Sequence, residues 1–144
     1  LQSELQAFFP DFVLWIVDES TPCTTIVLVD PKGQTGIVDR KSLETNEKVN
    51  IATNGHLDEL AHKLKSKHNR EFRVYSFILL RDSSELGTWN GVAPSAKEKE
   101  IIQAMQEKNV LRLDWSETNE NGDKVDKLVD GQSYLDIMFY KMQT

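Results

Sequence analysis

The chain has 144 residues, of which 39% are hydrophobic and 28% charged, and this suits one globular domain able to bury a core of its own. No apolar run is long enough to span a bilayer, no basic stretch followed by an apolar core marks a secretory signal, and the single cysteine, Cys23, rules out an internal disulfide or an all-thiolate zinc site. The net charge of -6 argues against tight unaided binding to nucleic acid, because phosphate contacts need clustered Lys and Arg.

Cysteine usage fits a reducing, cytoplasmic compartment. The chain starts at Leu1 and enters patterned sequence at once, so residues 1–144 read as a single domain cut from the C-terminal part of a longer polypeptide. Leu1, Leu5, Phe8 and Phe9 suit one side of a short helix or an extended segment, and Pro10 closes that stretch. Phe12 to Val17 is rich in aromatic and β-branched residues and predicts a strand. Asp18-Glu19-Ser20-Thr21-Pro22 is a turn, and Thr24 to Val29 is a second strand, apolar on both faces. The connection is short, so the two strands should form an antiparallel hairpin. Pro31-Lys32-Gly33 should end the second strand.

Residues 34–55 are polar, with a short helix expected around Lys41 to Lys48. Leu57, Leu60, Ala61 and Leu64 follow helical spacing and predict an amphipathic helix from His56 to His68, with Asn54 as its N-cap and Asp58 and Glu59 in its first turn. Phe72 to Leu80 predicts the longest, central strand. A loop from Thr88 to Pro94 leads to a helix over Ser95 to Lys108, opened by a Ser95/Glu98 capping box and burying Ala96, Ile101, Ile102 and Met105. Val110 to Trp115 predicts a strand, and Glu117 to Asp130 a charged loop or a loose hairpin with Asn121-Gly122 at its tip. Tyr134 to Met142 is apolar without a clear period. The order β-β-α-β-α-β implies an α/β fold with a mixed sheet flanked by helices.

Two blocks carry chemistry: Phe9-Pro10-Asp11-Phe12-Val13-Leu14-Trp15-Ile16 and Ile26-Val27-Leu28-Val29-Asp30-Pro31-Lys32-Gly33. In an antiparallel hairpin the start of one strand faces the end of the next, so Asp11 and Asp30 should meet at one edge, and alternation gives Asp30 and Lys32 a common face. Two converging carboxylates are a minimal cradle for Mg²⁺, with the Pro31 carbonyl as a further hard oxygen ligand. Lys32 would orient an attacking water or stabilise developing charge, an arrangement suited to phosphodiester hydrolysis. The plain alternative is an acid opening a strand after Pro10, and a polar turn at Asp30-Pro31-Lys32-Gly33.

Aromatic-Pro-Asp-Phe-aliphatic-aliphatic-Trp, followed by a strand ending Asp-Pro-Lys-Gly, resembles the PD-(D/E)xK nuclease superfamily, and within it the C-terminal endonuclease domain of type III restriction enzyme subunits and related DEAD/DEAH-box helicase-nucleases. The resemblance is specific over residues 8–33 and general to about residue 115. It implies a restriction-endonuclease-like sheet, with Asp11, Asp30 and Lys32 as catalytic residues, Asp11, Asp30 and Pro31 at the metal, and Mg²⁺ or, in substitution, Mn²⁺ as cofactor. It further implies double-stranded DNA as substrate, with the helicase or translocase region of the same polypeptide and a modification subunit as partners. The family places a further Glu on a helix upstream of the first motif strand, and the upstream acid here, Glu4, does not match it. A nuclease fold kept as a silent module for DNA or subunit interaction is the competing reading.

His62, Lys63, Lys65, Lys67, His68, Arg70 and Arg73 form a dense basic cluster. Lys63, Lys67 and Arg70 suit contacts to DNA phosphates, against the simpler reading of a solvated outer face. His56, His62 and His68 are six residues apart and so point to different sides of a helix, which disfavours a shared metal. Trp89 and Asn90 suit stacking on a base or a lid over the core, and Gln34 and Lys41 an approach to the scissile phosphate. Tyr134, Phe139 and Tyr140 suit the core or a surface covered by the parent chain.

Overall fold

Strand-forming runs of apolar residues separate two helical segments, and alternation along each strand decides which face meets which helix. The computed structural model describes residues 10–32, 44–80, 96–112, 116–118, 120–126 and 133–143. Strands β1 (Phe12–Val17), β2 (Cys23–Lys32), β3 (Glu71–Leu80) and β4 (Val110–Arg112) form one mixed sheet in that order. β1 and β2 are antiparallel, with Phe12 opposite Val29 and Val17 opposite Thr24. Asp18 shapes their turn: its Oδ1 accepts from the Ser20 N–H at 2.8 Å and from the Ser20 hydroxyl at 2.5 Å.

β2 and β3 run parallel in register from Cys23–Glu71 to Lys32–Leu80, and β3 and β4 are also parallel. β2 therefore continues through Pro31 and Lys32. The expected turn there is corrected, because pairing with Leu79 and Leu80 outweighs the local turn chemistry.

Parallel pairing needs a crossover for each step, and the helices of both crossovers cover the same face. The first contains α1 (Glu47–Asn50) and α2 (His56–His68), and α3 (Ala96–Glu107) precedes β4. Leu57, Leu60, Ala61 and Leu64 of α2 pack with Ile51 on Ile26, Leu28, Phe72 and Val74. Val49 of α1 and Met105 of α3 pack on Ile78, Leu80 and Val110. Ile102 of α3 is buried as expected, whereas the side chains of Ala96 and Ile101 and the Ser95 cap lie outside the described residues.

Within the expected Lys41 to Lys48 segment, residues 41–43 lie outside the described residues, Glu44 and Thr45 are helical, and α1 follows Asn46, whose Oδ1 accepts from the N–H groups of Lys48 and Val49 at 3.0 and 3.2 Å. At the start of α2 the cap position is Gly55, at φ 90°, a conformation that suits glycine. Asn54 sits one residue earlier and still accepts from the His56 N–H at 3.1 Å. At the other end Asn69 turns left-handed, at φ 51°, and its N–H donates to the Lys65 carbonyl at 2.8 Å. Lys65 and Glu71 form an ion pair across the step into β3.

The opposite face carries Val27, Val29, Tyr75, Phe77, Leu79 and Leu111, covered by α4 (Tyr134–Gln143) through Tyr134, Ile137, Met138 and Met142. The ambiguous apolar segment is thus a helix. Its period is masked because Leu135, Phe139 and Tyr140 are apolar yet exposed. β5 (Ser116–Thr118) and β6 (Lys124–Asp126) form a separate antiparallel hairpin, with Gly122 at φ 82° near its tip. β1 is an edge strand exposed along its whole length, with Trp15 at 61% exposure. Among the described residues, no helix is long and apolar enough to cross a membrane.

Phe77 lies fully buried in β3, between its neighbour strands and α4. Phe77→Ala should lower the unfolding free energy by about 3–5 kcal/mol in urea denaturation.

Ser133 and Asp136 cap α4 reciprocally: Asp136 Oδ2 accepts from the Ser133 N–H at 3.0 Å, and Ser133 Oγ accepts from the Asp136 N–H at 3.2 Å. The bond from the Ser133 N–H, and then that from its hydroxyl, hold the Asp136 carboxyl below its ordinary value of 3.8. A carboxyl lowered by folding adds stability that is present above its unfolded pKa and lost as pH falls through the folded one. The advantage of the wild type over Asp136→Asn should therefore be full at neutral pH and fade below about pH 4. Melting curves of both proteins across that range measure it.

Candidate functional site

The site begins with strand register. The β1–β2 ladder ends at Phe12 and Val29, so Asp11 and Asp30 are the next residues of the two chain segments beyond its last pair. Asp11 sits in the bend before β1 and is exposed. Asp30 is 0% exposed. Asp30 pairs with Ile78, so it occupies the sheet face that α1, α2 and α3 cover. Asp30 therefore lies near the end where β2 and β3 finish, and Asp11 directly precedes the first β1 residue paired at that end.

Lys32 lies two residues on in β2, on the same face by alternation, and its side chain is outside the described residues. Pro31 lies between them, partly buried and just beyond the last β1 partner. A proline is tolerated there because the β1 ladder has already ended.

One cation at this rim was not singled out in the sequence. Lys48 Nζ lies 3.8 Å from Asp30 Oδ2, and its side chain is 41% exposed. Lys48 is separated from Asp30 by eighteen positions in the chain and reaches it only because Val49, fully buried, plugs α1 into the core. The one cue in the sequence is Asn46, a cap residue fixing a helical turn at that point.

The basic cluster lies elsewhere. Lys63, Lys67 and Arg70 are all exposed. Arg70 directly precedes β3, whose first residue pairs with Cys23, seven residues back along β2 from Asp30. At the strand rise of roughly 3.3 Å per residue, that is about 23 Å from the acid pair. Lys67, in the last turn of α2, belongs to the same far rim. An open depression there is lined by Glu19, Ser20, Thr21, Pro22, His68, Asn69 and Arg70, so it too is remote from the carboxylates. The histidines of α2 do not converge: His56 Nδ1 lies 3.8 Å from Glu59 Oε2, and the His68 ring stands 6.0 Å from that of Phe72. Trp89, Asn90, Gln34, Lys41, Glu4 and the segment from Leu1 to Phe9 lie outside the described residues.

Among the described residues, no three His, Cys, Asp or Glu side chains gather as a metal-holding group. Mg²⁺ keeps several waters and is usually held through one or two carboxylates. Asp30 is buried and Asp11, just beyond the last β1–β2 pair, is exposed, so hard oxygen donors are present towards this end of the sheet. Comparison with protein-family models, curated proteins and solved structures finds no match for this chain.

Asn46 holds the turn that delivers Lys48 to the rim. Asn46→Ala should cost about 1 kcal/mol of stability, read from denaturant midpoints. It should also loosen α1, detected as faster amide exchange at Lys48 and Val49.

Proposed function

We propose that this chain is a Mg²⁺-dependent DNA-cleaving domain with a restriction-endonuclease-like fold, part of a type III restriction-like helicase-nuclease. The observation that supports the reading is the hairpin register, whose last pair, Phe12 with Val29, leaves Asp11 and the buried Asp30 as the next residues on either side. The resemblance of residues 8–33 to the PD-(D/E)xK pattern supports the same assignment.

In this reading Asp11 and Asp30 hold the ion, with the Pro31 carbonyl as a third oxygen donor. Bound Mg²⁺, or Mn²⁺ in its place, would offset charge on the phosphoryl oxygens. Lys32 belongs to the same strand end, where its ammonium would orient the attacking water. The net charge of -6 suits a domain to which DNA is delivered, by the helicase or translocase region of the same polypeptide and with a modification subunit as partner.

A second reading keeps the fold without turnover, as a module for DNA or subunit interaction. It is favoured by the position of the exposed Lys67 and Arg70 on the rim away from the acids. Relaxation of supercoiled plasmid in Mg²⁺ separates the two. Asp11→Ala, Asp30→Ala and Lys32→Ala should each lower the cleavage rate by at least about 100-fold. Cleavage that persists in all three substituted proteins refutes the assignment.

A further inference from the structure

We propose that Lys48 is a counterion of Asp30 in the metal-free protein and is displaced when a divalent cation binds. The inference rests on Asp30 being a metal-holding acid, and it adds a residue outside the motif that brought Asp30 to notice.

A fully buried carboxylate is costly to keep ionised unless a positive charge stands close to it. Lys48 supplies one, with its Nζ at 3.8 Å from Asp30 Oδ2. A divalent ion coordinating that oxygen would sit about 2.0–2.1 Å from it, and an ammonium at its present distance would then face a like charge at close quarters. The two cations therefore compete for one acid.

Lys48 is built to yield. Its backbone is fixed, because its own N–H donates to Asn46 Oδ1 at 3.0 Å and the next residue, Val49, is fully buried. Its side chain is 41% exposed, so the flexible four-carbon stem can turn the ammonium outward into water without unfolding α1. Displacement keeps the positive charge at the rim, within the length of one side chain of the acid pair.

Calorimetric titration of the chain with Mn²⁺ tests the competition. Lys48→Met removes the charge and keeps the stem, and should lower the Kd for Mn²⁺ roughly two- to fivefold, the scale of a half-exposed ion pair. Lys48→Arg should bind as the wild type does, and Asp30→Asn should abolish binding. Melting curves give a second readout: added Mn²⁺ should raise the Tm of Lys48→Met by more than that of the wild type, since ligand affinity and stabilisation are linked. An unchanged or weaker affinity in Lys48→Met, with binding still lost in Asp30→Asn, overturns the role given to Lys48 and leaves the metal site standing. Absence of saturable binding in the wild type, or binding indifferent to Asp30→Asn, overturns both.

Discussion

The ten-residue parallel ladder between β2 and β3 is the constraint on which the rest of the molecule depends. Parallel neighbours cannot be joined by a tight turn, so the chain must leave the top of β2, cross one face of the sheet and return to the bottom of β3. That journey lays α1 and α2 over the face that carries Ile26, Leu28 and Asp30. The same register leaves Val27 and Val29 for α4 on the other side. Burial of Asp30 and the approach of Lys48 are both results of this crossover: the strand end provides the acid, and the first short helix of the return provides the cation.

Asp30 is a poor choice for a residue whose only task is packing. Its cross-strand neighbour Ile78 and the nearby Val49 and Leu80 form an apolar surround in which a leucine or valine would be at home. Ion pairs that leave water commonly add little net stability relative to an apolar pair of the same shape. A buried carboxylate kept in such surroundings therefore adds little folding energy, even with the Lys48 ammonium 3.8 Å away.

Much of this was legible in the amino-acid order. The spacing of Leu57, Leu60, Ala61 and Leu64 gave α2 its residue range and its buried face, and β1 follows from its apolar run. The antiparallel pairing of β1 with β2 required only the short turn at Asp18. What stayed hidden depended on partners distant in the chain. Pro31 and Lys32 look like a turn until Leu79 and Leu80 are beside them. α4 has no readable period because its outward side is also apolar, at Leu135, Phe139 and Tyr140. Lys48 is one lysine in a polar stretch until Val49 is seen in the core. The basic residues of α2 were visible as a cluster, but their distance from the acids follows from the direction in which the helix runs back along the sheet.

The pairing of Phe12 with Val29 is also where the β1–β2 ladder stops, and a proline flanks it on each segment, Pro10 two residues before Phe12 and Pro31 two residues after Val29. Neither imino acid has a hydrogen to donate, so neither could lengthen the ladder with an N–H bond of its own. Each ring also fixes its own φ, so the chain beside the last pair has fewer conformations to sample than an ordinary strand end.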